Sequence, residues 1–525
     1  MEIEALLAIA MFATAIAALL AGYPVALTLG GVALLFALIG GALGVFPLNL
    51  LRLLQFRILG TMENQVLIAV PLFVLMGVVL ERSKVAEDLL HIASRLLSRV
   101  RGGLAYAVVL VGALLAASTG IVGATVITMT LIALPTMLRQ GYDPRLASGT
   151  IAASGTLGQI IPPSIVLILL ADAISNANQQ ASVAAAGRPS AVSVGDLFAG
   201  ALLPGLILVG LYLAYIALMA AIRPASCPPT RLDEDEAPLT FKQIFFGLGA
   251  PLLLIIAVLG SILGGFASPT EASAIGAGGA VLLAGLRLAD EAGSRLGPVI
   301  LSGLSAIVFL LILSELVDLR AGREATAVGD QIAMGVAVLA TLVFFAGLVA
   351  GARVLAMSGR FGPALTSAAH ITAMVFLILI GASLFALVFR GYEGDDLVMS
   401  LLSATPGGLW GALALTMVVM FLLGFFLDFI EIVYVVVPLV APPLILLGAD
   451  PVWLAILMAL NLQTSFLTPP FGFALFYLRG VAPPELETLD IWRGAIPFIG
   501  VQVLLILLVA AVPAIATWLP SVTAR

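Results

Sequence analysis

A proline pattern occurs twice in this sequence, 307 positions apart, with every member in register. The first copy runs from Gly141-Tyr142-Asp143-Pro144 to Pro162-Pro163, and the second from Gly448-Ala449-Asp450-Pro451 to Pro469-Pro470. In both copies the proline pair begins eighteen positions after the single proline. Both copies lie in long apolar segments, so the spacing indicates two structural repeats, each with a helix that prolines interrupt. Such repeats in a membrane chain are typical of secondary transporters.

The composition is that of a membrane protein. Hydrophobic residues make up 62% of the 525 residues and charged residues 10%, whereas a soluble domain carries about 25% charge. Apolar runs long enough to cross a membrane recur from 5–21 to 501–519. The sequence therefore predicts an all-α polytopic membrane protein with the lipid bilayer, and no nucleic acid, as a partner. It has no Walker A loop and only one Cys and two His, which argues against ATP use and a zinc site.

Two segments are predicted to enter the membrane and turn back. Residues 103–139 divide at Ser118–Gly123 into two arms of roughly fifteen residues each, and such an arm reaches only about 22 Å, short of the ~30 Å hydrocarbon core. A re-entrant helical hairpin fits this length better than one span. Residues 409–447 repeat the plan, and each hairpin precedes a broken helix, at 144–175 and 451–478.

These features divide the chain into five regions. Residues 1–102 are predicted to hold scaffold helices and a surface arm helix, and 103–175 the first hairpin and broken helix. Residues 176–408 hold a polar loop at 176–195, connecting scaffold helices, an extra pair at 297–352 and a second arm at 391–407. Residues 409–480 hold the second hairpin and broken helix, and 481–525 a C-terminal helix. The two hairpin regions are predicted to form a transport domain.

The placement of basic residues predicts the orientation. With the N-terminus outside, sixteen of the 23 Lys and Arg residues fall inside and seven outside, which is the bias expected of a correct topology. The excess of basic residues inside is obtained only if both hairpins re-enter. Counting either hairpin as one full span would move every later loop to the opposite side of the membrane. This topology also opens the first hairpin to the inside and the second to the outside. The repeats are therefore predicted to be inverted, which suits alternating access.

Each break is predicted to offer oxygen ligands to a cation. Proline lacks an N–H, so Pro162-Pro163 should leave the carbonyls of Gly158 and Gln159 without helical donors, and Pro469-Pro470 those of Ser465 and Phe466. Na⁺ is the natural candidate for such carbonyls with nearby hydroxyls. The alternative is a kink that neighbouring Ser and Thr satisfy. Two kinks in register, each facing a hairpin, favour the cation.

Other residues in the apolar segments carry polar chemistry. Half-helix N-termini favour anions, so Gly155-Thr156 and the residues after each proline pair are candidates to meet a substrate carboxylate. Asp428 and Glu431 are intramembrane carboxylates, which are usually functional. The alternatives for them are a hydrogen bond to the opposite hairpin arm or exposure to a water-filled vestibule. Glu271, in Ser268-Pro269-Thr270-Glu271, is predicted to cap a helix.

Several motifs together resemble the large membrane subunit of the tripartite ATP-independent periplasmic (TRAP) transporters, in the longer branch of that family. The motifs are Pro71-Leu-Phe-Val-Leu-Met-Gly77, Ala116-Ala-Ser-Thr-Gly-Ile-Val-Gly-Ala-Thr125, Leu134-Pro-Thr-Met-Leu-Arg-Gln-Gly-Tyr-Asp-Pro144, Ser154-Gly-Thr-Leu-Gly-Gln-Ile-Ile-Pro-Pro-Ser164, Ser268-Pro-Thr-Glu-Ala272 and Leu467-Thr-Pro-Pro-Phe-Gly472. The loop 176–195 and the extra spans 297–317 and 331–352 depart from the usual pattern.

The resemblance implies an inverted-repeat, elevator-type fold of the wider ion-transporter class. It implies Na⁺-driven uptake of organic acids across a bacterial inner membrane, delivered by a soluble periplasmic binding protein. It also implies a small membrane subunit of about four helices. We expect that subunit on a separate chain, because this chain starts directly with the large subunit's first helix.

When the positions of the family's sites are matched to this sequence, the resemblance implies at least two Na⁺ sites. One combines the first hairpin tip with the first break: Ser118, Thr119, Gly120, Gly123, Ser154, Gly155, Thr156 and Gly158. The other combines the second hairpin with the second break: Gly424, Asp428, Gln463, Thr464, Ser465 and Thr468. The candidate substrate residues are Ser118, Thr119, Ser154, Thr156, Ser164 and Asp428.

Two rival functions stay open at this point. One is a self-sufficient dicarboxylate symporter or antiporter, coupled to Na⁺ or H⁺, that needs no binding protein. The other is a membrane-embedded enzyme, but no cluster of His, Asp and Glu and no nucleotide motif supports it.

Overall fold

The computed structural model describes residues 3–120, 122–185, 191–229, 238–317 and 328–523, without the side chains of 116–119, 315 and 328. Every regular element in these ranges is a helix. Among the described residues, eleven helices are long and apolar enough to cross a membrane, or twelve if the bent pair Phe429–Val435 and Val437–Leu446 counts as one span. The predicted all-α polytopic membrane fold is confirmed.

Five α-helices make up the N-terminal region. They are α1 Ile3–Leu20, α2 Val25–Ala42, α3 Leu53–Met62, α4 Gln65–Arg82 and α5 Val85–Leu96. Asn64 caps α4, because its side-chain oxygen accepts a hydrogen bond from the Val66 amide at 3.0 Å. In α5, Leu89 and Leu90 are buried whereas His91 is exposed. Helix α5 therefore has a buried apolar face and an exposed polar face. It is an amphipathic helix, as predicted for the surface arm.

The first repeat begins with a hairpin whose two ends meet. Its helices are α6 Gly103–Thr119, α7 Val122–Arg139, α8 Pro144–Thr156, α9 Ile165–Ala184 and α10 Val194–Ile222. The Leu104 amide donates a hydrogen bond to the Tyr142 hydroxyl at 3.2 Å, and the Gly102 amide donates to the Cys227 carbonyl at 3.0 Å. Residue 142 thus returns to the place where residue 103 enters, so α6 and α7 form a hairpin. Its tip at Gly120 lies beside Ile165, at the break between α8 and α9, so the hairpin turns back partway along the broken helix, as predicted for a re-entrant one.

The segment between the repeats carries the connecting helices. They are α11 Phe241–Ile244, α12 Ala250–Leu263, α13 Pro269–Glu291, α14 Gly297–Leu316, α15 Val328–Met357, α16 Phe361–Gly391 and α17 Gly394–Ser403. A π-helical turn, Phe245–Gly249, joins α11 to α12. Glu271 and Ser268 form a reciprocal capping box at the start of α13, which confirms the predicted cap. The extra pair, α14 and α15, packs on α13.

The second repeat follows the same plan as the first. Its helices are α18 Leu409–Leu423, α19 Phe429–Val435, α20 Val437–Leu446, α21 Pro451–Leu467, α22 Phe473–Val481, α23 Thr488–Ala511 and α24 Ala514–Thr523. The rings of Trp410 and Trp453 are 5.8 Å apart. The start of α18 therefore lies beside the start of α21, so the second hairpin also returns to its entry point.

Helix α23 shows that the two hairpins open on opposite faces. Near its start, Asp490 pairs with Arg145 at 2.8 Å, at the mouth of the first hairpin. Near its end, the Val509 carbonyl accepts a hydrogen bond of 2.8 Å from Trp453 Nε1, at the mouth of the second hairpin. Positions 490 and 509 are about 28 Å apart along a helix, close to the thickness of the hydrocarbon core. The two repeats are therefore inverted.

Two predicted boundaries were wrong, and one hairpin arm has a bend that was not predicted. Helix α9 continues to Ala184, so the loop predicted at 176–195 starts later, because no Gly or Pro interrupts the chain before Gly187. The return arm of the second hairpin bends by 54° between α19 and α20, where Pro438 lacks the N–H that would continue the helix. The C-terminal region 481–525 holds two helices rather than one, with Pro513 at the break.

The remaining helices pack as a second body beside the repeats. Helix α2 packs along α16, and α4 packs along α13 and α16. This body meets the hairpin regions where α4 contacts α6 and α9, and where α16 contacts α19. The arm α5 lies between the two bodies in sequence, since it links α4 to α6.

The opposite openings of the hairpins predict a labelling pattern. In a Cys227→Ala background, we expect a membrane-impermeant maleimide to label Arg139→Cys from one face and Ser403→Cys from the other, since these exposed residues flank the two mouths. Right-side-out and inside-out vesicles provide the two faces, and the cysteine-free protein is the control. Labelling of both positions from the same face would contradict the inversion.

Candidate functional site

The two broken helices cross at equivalent positions of the two repeats. Thr156 ends α8, and Gln463, 307 residues later, lies one turn before the end of α21. The Gln463 side-chain amide donates a hydrogen bond to the Thr156 hydroxyl at 3.3 Å, and both residues are fully buried. Because the partners occupy the same position in each repeat, the contact lies on the axis that relates the two halves.

Two further helices add polar side chains to this crossing. Gln502 of α23 donates to the Tyr212 hydroxyl of α10 at 2.8 Å and to Thr156 Oγ1 at 3.4 Å. Gln502 is 1% exposed and Tyr212 is 0% exposed. Neither residue was predicted from the sequence, although a glutamine inside the apolar run 501–519 was a usable signal. The crossing is therefore a buried polar cluster built from four helices.

Several amide atoms at the crossing and the first break lack a protein partner among the described residues. They are Gln159 Oε1 and Nε2, Gln463 Oε1 and Gln502 Oε1. An unpaired buried polar atom costs about 1–3 kcal/mol, and one of its common explanations is a ligand, ion or water. The oxygens among them are of the kind that hard cations prefer.

The first break differs in one respect from its prediction. The carbonyls of Gly158 and Gln159 are not without donors, because the Ser164 hydroxyl donates to Gly158 at 2.7 Å and to Gln159 at 3.4 Å. At the second break, the Ser465 carbonyl accepts from the Thr468 amide at 3.1 Å. The proline pair is cis in both copies. For these carbonyls the local satisfaction of a kink, the alternative interpretation of the breaks, holds.

The first hairpin tip lies against its break. A Cβ on Gly120, whose φ is +60°, would lie 3.0 Å from the amide nitrogen of Ile165, the first residue of α9. A Cβ on Gly123 would instead meet the Tyr477 ring of α22 at 2.9 Å. The tip therefore contacts both half-helices that follow the breaks. The side chains of Ser118 and Thr119, two predicted site residues, lie outside the described part of the chain.

The hairpin arms hold α8 tightly just before the break. A Cβ on Gly112 of α6 would lie 2.6 Å from Ser154 Cβ, and one on Gly155 would lie 2.2 Å from Val126 of α7. The structure thus brings Ser154 and Gly155 against the two arms, as the predicted first site requires.

The second hairpin is joined to α21 in the same way. A Cβ on Gly424 would lie 2.4 Å from Ser465 Oγ. The Ser465 hydroxyl donates to the Phe421 carbonyl at 2.8 Å, and the Asn461 amide donates to the Met417 carbonyl at 2.8 Å. Gly424 and Ser465, both predicted for the second site, are therefore neighbours.

Four hydroxyls near the two breaks share one orientation. Each donates its proton to a carbonyl of its own helix at 2.6–2.8 Å: Ser154 to Thr150, Thr156 to Ala153, Thr464 to Leu460 and Thr468 to Thr464. A hydroxyl keeps two acceptor lone pairs after donating its proton. The oxygens of Ser154, Thr464 and Thr468 can therefore still bind a cation. The Thr156 oxygen already accepts hydrogen bonds from Gln463 and Gln502.

The two carboxylates of the second hairpin form a helix cap. Asp428 accepts a hydrogen bond from the Phe429 amide at 2.7 Å, and Glu431 accepts one from the Asp428 amide at 3.0 Å. This reciprocal capping box starts α19 at the hairpin turn. The box lies within the return arm and is not the predicted bond to the opposite arm. Asp428 is partly exposed, so the vestibule stays a prediction. The cap explains why both acids stand three residues apart in an apolar segment.

A further intramembrane acid went unnoticed in the sequence. Asp172, in α9, accepts a hydrogen bond of 2.9 Å from the Asn64 side chain at the start of α4. Its position inside the apolar run 165–174 was the signal. This bond joins the first repeat to the second body.

Known proteins resemble this chain in sequence and in fold. A sequence model of the family described as "Tripartite ATP-independent periplasmic transporter, DctM component" matches residues 12–294 and 287–515. Among solved structures, the Alcanivorax borkumensis YdaH transporter, described as having an unusual topology, superimposes with a TM-score of 0.52 at 18% identity, over 88% of each chain. The likeness to the YdaH transporter is a likeness of fold.

Curated relatives align along nearly the whole chain. The C4-dicarboxylate TRAP transporter large permease protein DctM of Vibrio cholerae is 27% identical over 97% of each chain. The ectoine TRAP transporter large permease protein TeaC of Halomonas elongata is 25% identical over 98% of this chain and 99% of its own. The isethionate TRAP transporter permease protein DctMQ of Oleidesulfovibrio alaskensis is 24% identical over 95% of this chain and 64% of its own. Because the family model matches most of its length, this protein belongs to the DctM-component family of large TRAP permeases, which are transporters rather than enzymes.

Proposed function

We propose that this chain is the large membrane subunit of a Na⁺-coupled importer of organic acid anions in a bacterial inner membrane. Its N-terminus would be periplasmic, in line with the distribution of basic residues. The observation that carries the proposal is the crossing of two inverted half-helix pairs at Thr156 and Gln463. Secondary transporters with inverted repeats bind cargo near the bilayer midplane, between such broken helices.

Two Na⁺ sites would lie on either side of the crossing. The first would use Ser154, Thr156 and the tip at Gly120, with Ser118, Thr119, Gly123, Gly155 and Gly158 as its remaining candidates. The second would use Thr464, Thr468 and the oxygen of Gln463, with Gly424, Asp428 and Ser465 as its remaining candidates. The support is the orientation of the Ser154 and Thr464 hydroxyls, whose lone pairs remain available, and the unpaired amide oxygens.

The substrate carboxylate would bind at the half-helix that the first hairpin tip covers. Helix α9 starts at Ile165, next to Gly120, with the positive end of its dipole toward the tip. Ser118, Thr119, Ser154, Thr156, Ser164 and Asp428 are the proposed substrate residues. Of these, Ser164 holds the backbone of the break through its hydrogen bond to Gly158, so its contribution to binding would come from its oxygen.

An elevator movement of the repeats against the second body would give alternating access. The polar links between the two bodies include three single hydrogen bonds of 2.7–2.9 Å. They are Asn64 to Asp172, Thr128 to Glu81, and Arg390 to Gln180. Each is an isolated bond that a shift of a few ångströms would break. Such links suit two bodies that slide past one another.

Two partner proteins belong to the proposal. One is a small membrane subunit of about four helices, and the other is a periplasmic binding protein that delivers the substrate. The isethionate permease extends well beyond the match with this chain, which covers 64% of it. The proposal places the small subunit on a separate chain, because relatives named large permease proteins, such as DctM of Vibrio cholerae, match over 97% of their own length.

Uptake assays separate this function from a self-sufficient symporter. In proteoliposomes holding this chain and its small subunit, we expect organic acid uptake only when both the binding protein and an inward Na⁺ gradient are present. A K⁺ gradient of equal size is the control. Uptake of the free acid without the binding protein would favour the self-sufficient symporter, and uptake without Na⁺ would refute the coupling.

Removal of one hydroxyl at each break tests the Na⁺ assignment. Ser154→Ala and Thr464→Ala should each raise the Na⁺ concentration for half-maximal uptake on the order of tenfold, since an interaction with a charge is worth about 1.5–3 kcal/mol. Ser148→Ala is the matched control, because Ser148 makes the same type of bond two turns earlier in α8. Thr464→Ser should restore the affinity. Unchanged Na⁺ activation in both alanine variants would contradict the assignment.

Cross-linking of the two bodies tests the elevator movement. In a Cys227→Ala background, bridging Asn64→Cys and Asp172→Cys with Hg²⁺ should abolish uptake, because the bridge fixes α9 to α4. The pair Gln65→Cys and Thr270→Cys lies within the second body, where Thr270 Oγ1 donates to the Gln65 carbonyl at 2.7 Å. Bridging this control pair should leave uptake intact. Full uptake by the cross-linked Asn64–Asp172 pair would rule out this movement.

A further inference from the structure

A cavity of about 770 Å³ lies under the arm helix α5, away from the crossing. Its walls are one face of α5, the π-helical turn Phe245–Gly249, the end of α13 and the start of α14. The arm is seated closely here, since a Cβ on Gly247 would lie 2.2 Å from Ile92 Cδ1. The cavity thus lies beside the contact between the arm, which leads to the first hairpin, and the second body.

The cavity has a polar end and an apolar end. Lys242, Asp290 and Ser294 line it where α11 starts, α13 ends and α14 is about to begin. Leu283 and Leu301 line it one to two turns further along α13 and α14, toward the middle of the membrane. The polar end therefore lies at the level of lipid headgroups and the apolar end at the level of acyl chains.

The charge of the lining favours an anion. Arg95, Lys242 and Arg287 contribute three positive charges, and Asp88 and Asp290 contribute two negative ones. Asp88 is held by Arg287. Lys242 pairs with Asp290 at 3.1 Å, but both side chains are 68% exposed, and an exposed pair of this kind adds little stability. Lys242 can therefore leave Asp290 and bind another anion at a small cost in free energy.

We propose that this cavity binds one anionic phospholipid, with the headgroup phosphate at Lys242 and Arg95 and an acyl chain along Phe246, Leu283 and Leu301. Basic pockets between membrane helices on the cytoplasmic side are suited to anionic headgroups. Leu301 is 42% exposed, so the apolar end opens toward the bilayer and gives the chain a way in. The bound lipid braces the arm α5 against the π-helical turn, and so steadies the link between the two bodies.

Native mass spectrometry of the purified full-length chain tests this site. With phosphatidylglycerol and phosphatidylcholine of identical chains, we expect one retained phosphatidylglycerol and no specific phosphatidylcholine. Lys242→Gln should weaken the retention about fivefold, since a basic residue near a lipid surface is worth about 1 kcal/mol. The chain has only one other lysine, Lys84, which lies on the same face but does not line the cavity. Lys84→Gln is therefore the matched control and should retain the lipid.

A second pair of variants tests the acyl-chain end. Leu301→Trp fills the cavity and should displace the lipid, whereas Val299→Trp, at an exposed position outside the cavity, should not. Equal retention of the two lipids, or equal retention by wild type and both cavity variants, would overturn the proposal. Retention of inorganic phosphate equal to that of phosphatidylglycerol would also overturn the proposal, because it would indicate an anion site without a lipid. All these measurements are independent of transport activity.

Discussion

The structure depends on one constraint: polar groups deep in the bilayer must find partners inside the protein. Interrupting two helices at mid-depth creates such groups, and the fold meets the need by bringing both interruptions to one place. There, Thr156 accepts hydrogen bonds from Gln463 and Gln502, Ser164 pairs the carbonyls of the first break, and Tyr212 completes the cluster. The amide oxygens that are left over make the same place suitable for a cation.

The arms of the two hairpins pack closely on the broken helices. Small residues let the arms approach closely, as where Gly112 meets Ser154 and where Gly424 meets Ser465. Close packing of this kind leaves little room for water around α8 and α21. At the tip of the second hairpin, the Asp428–Glu431 box supplies the first amides of α19 with partners that the lipid cannot offer. The hairpin turn therefore carries its own hydrogen-bond acceptors for the first amides of α19.

The sequence predicted the repeats, both re-entrant hairpins, both breaks and the cap at Glu271, because proline spacing, arm length and capping residues act locally. It did not predict the partners at the crossing. Gln502 and Tyr212 lie outside the repeated proline pattern. Nothing in their own segments indicates which residues they contact. Local pairing also changed the interpretation of Gly158, whose carbonyl is bound by Ser164. The end of α9 was missed because polar composition does not end a helix in the absence of Gly or Pro.

Helix α23 also has a consequence for biogenesis. It supplies Asp490 to Arg145 and Gln502 to Thr156, pairs that are 345 and 346 residues apart in sequence. At about 5–20 residues per second, the ribosome adds the last partner roughly 20–70 s after the first. During that interval the first hairpin and its broken helix are already made, but the polar face that they will bury has no counterpart. The nascent chain must therefore be shielded by the insertion machinery or by water until its final segment arrives, and a protein truncated before α23 would present this face to cellular proteases.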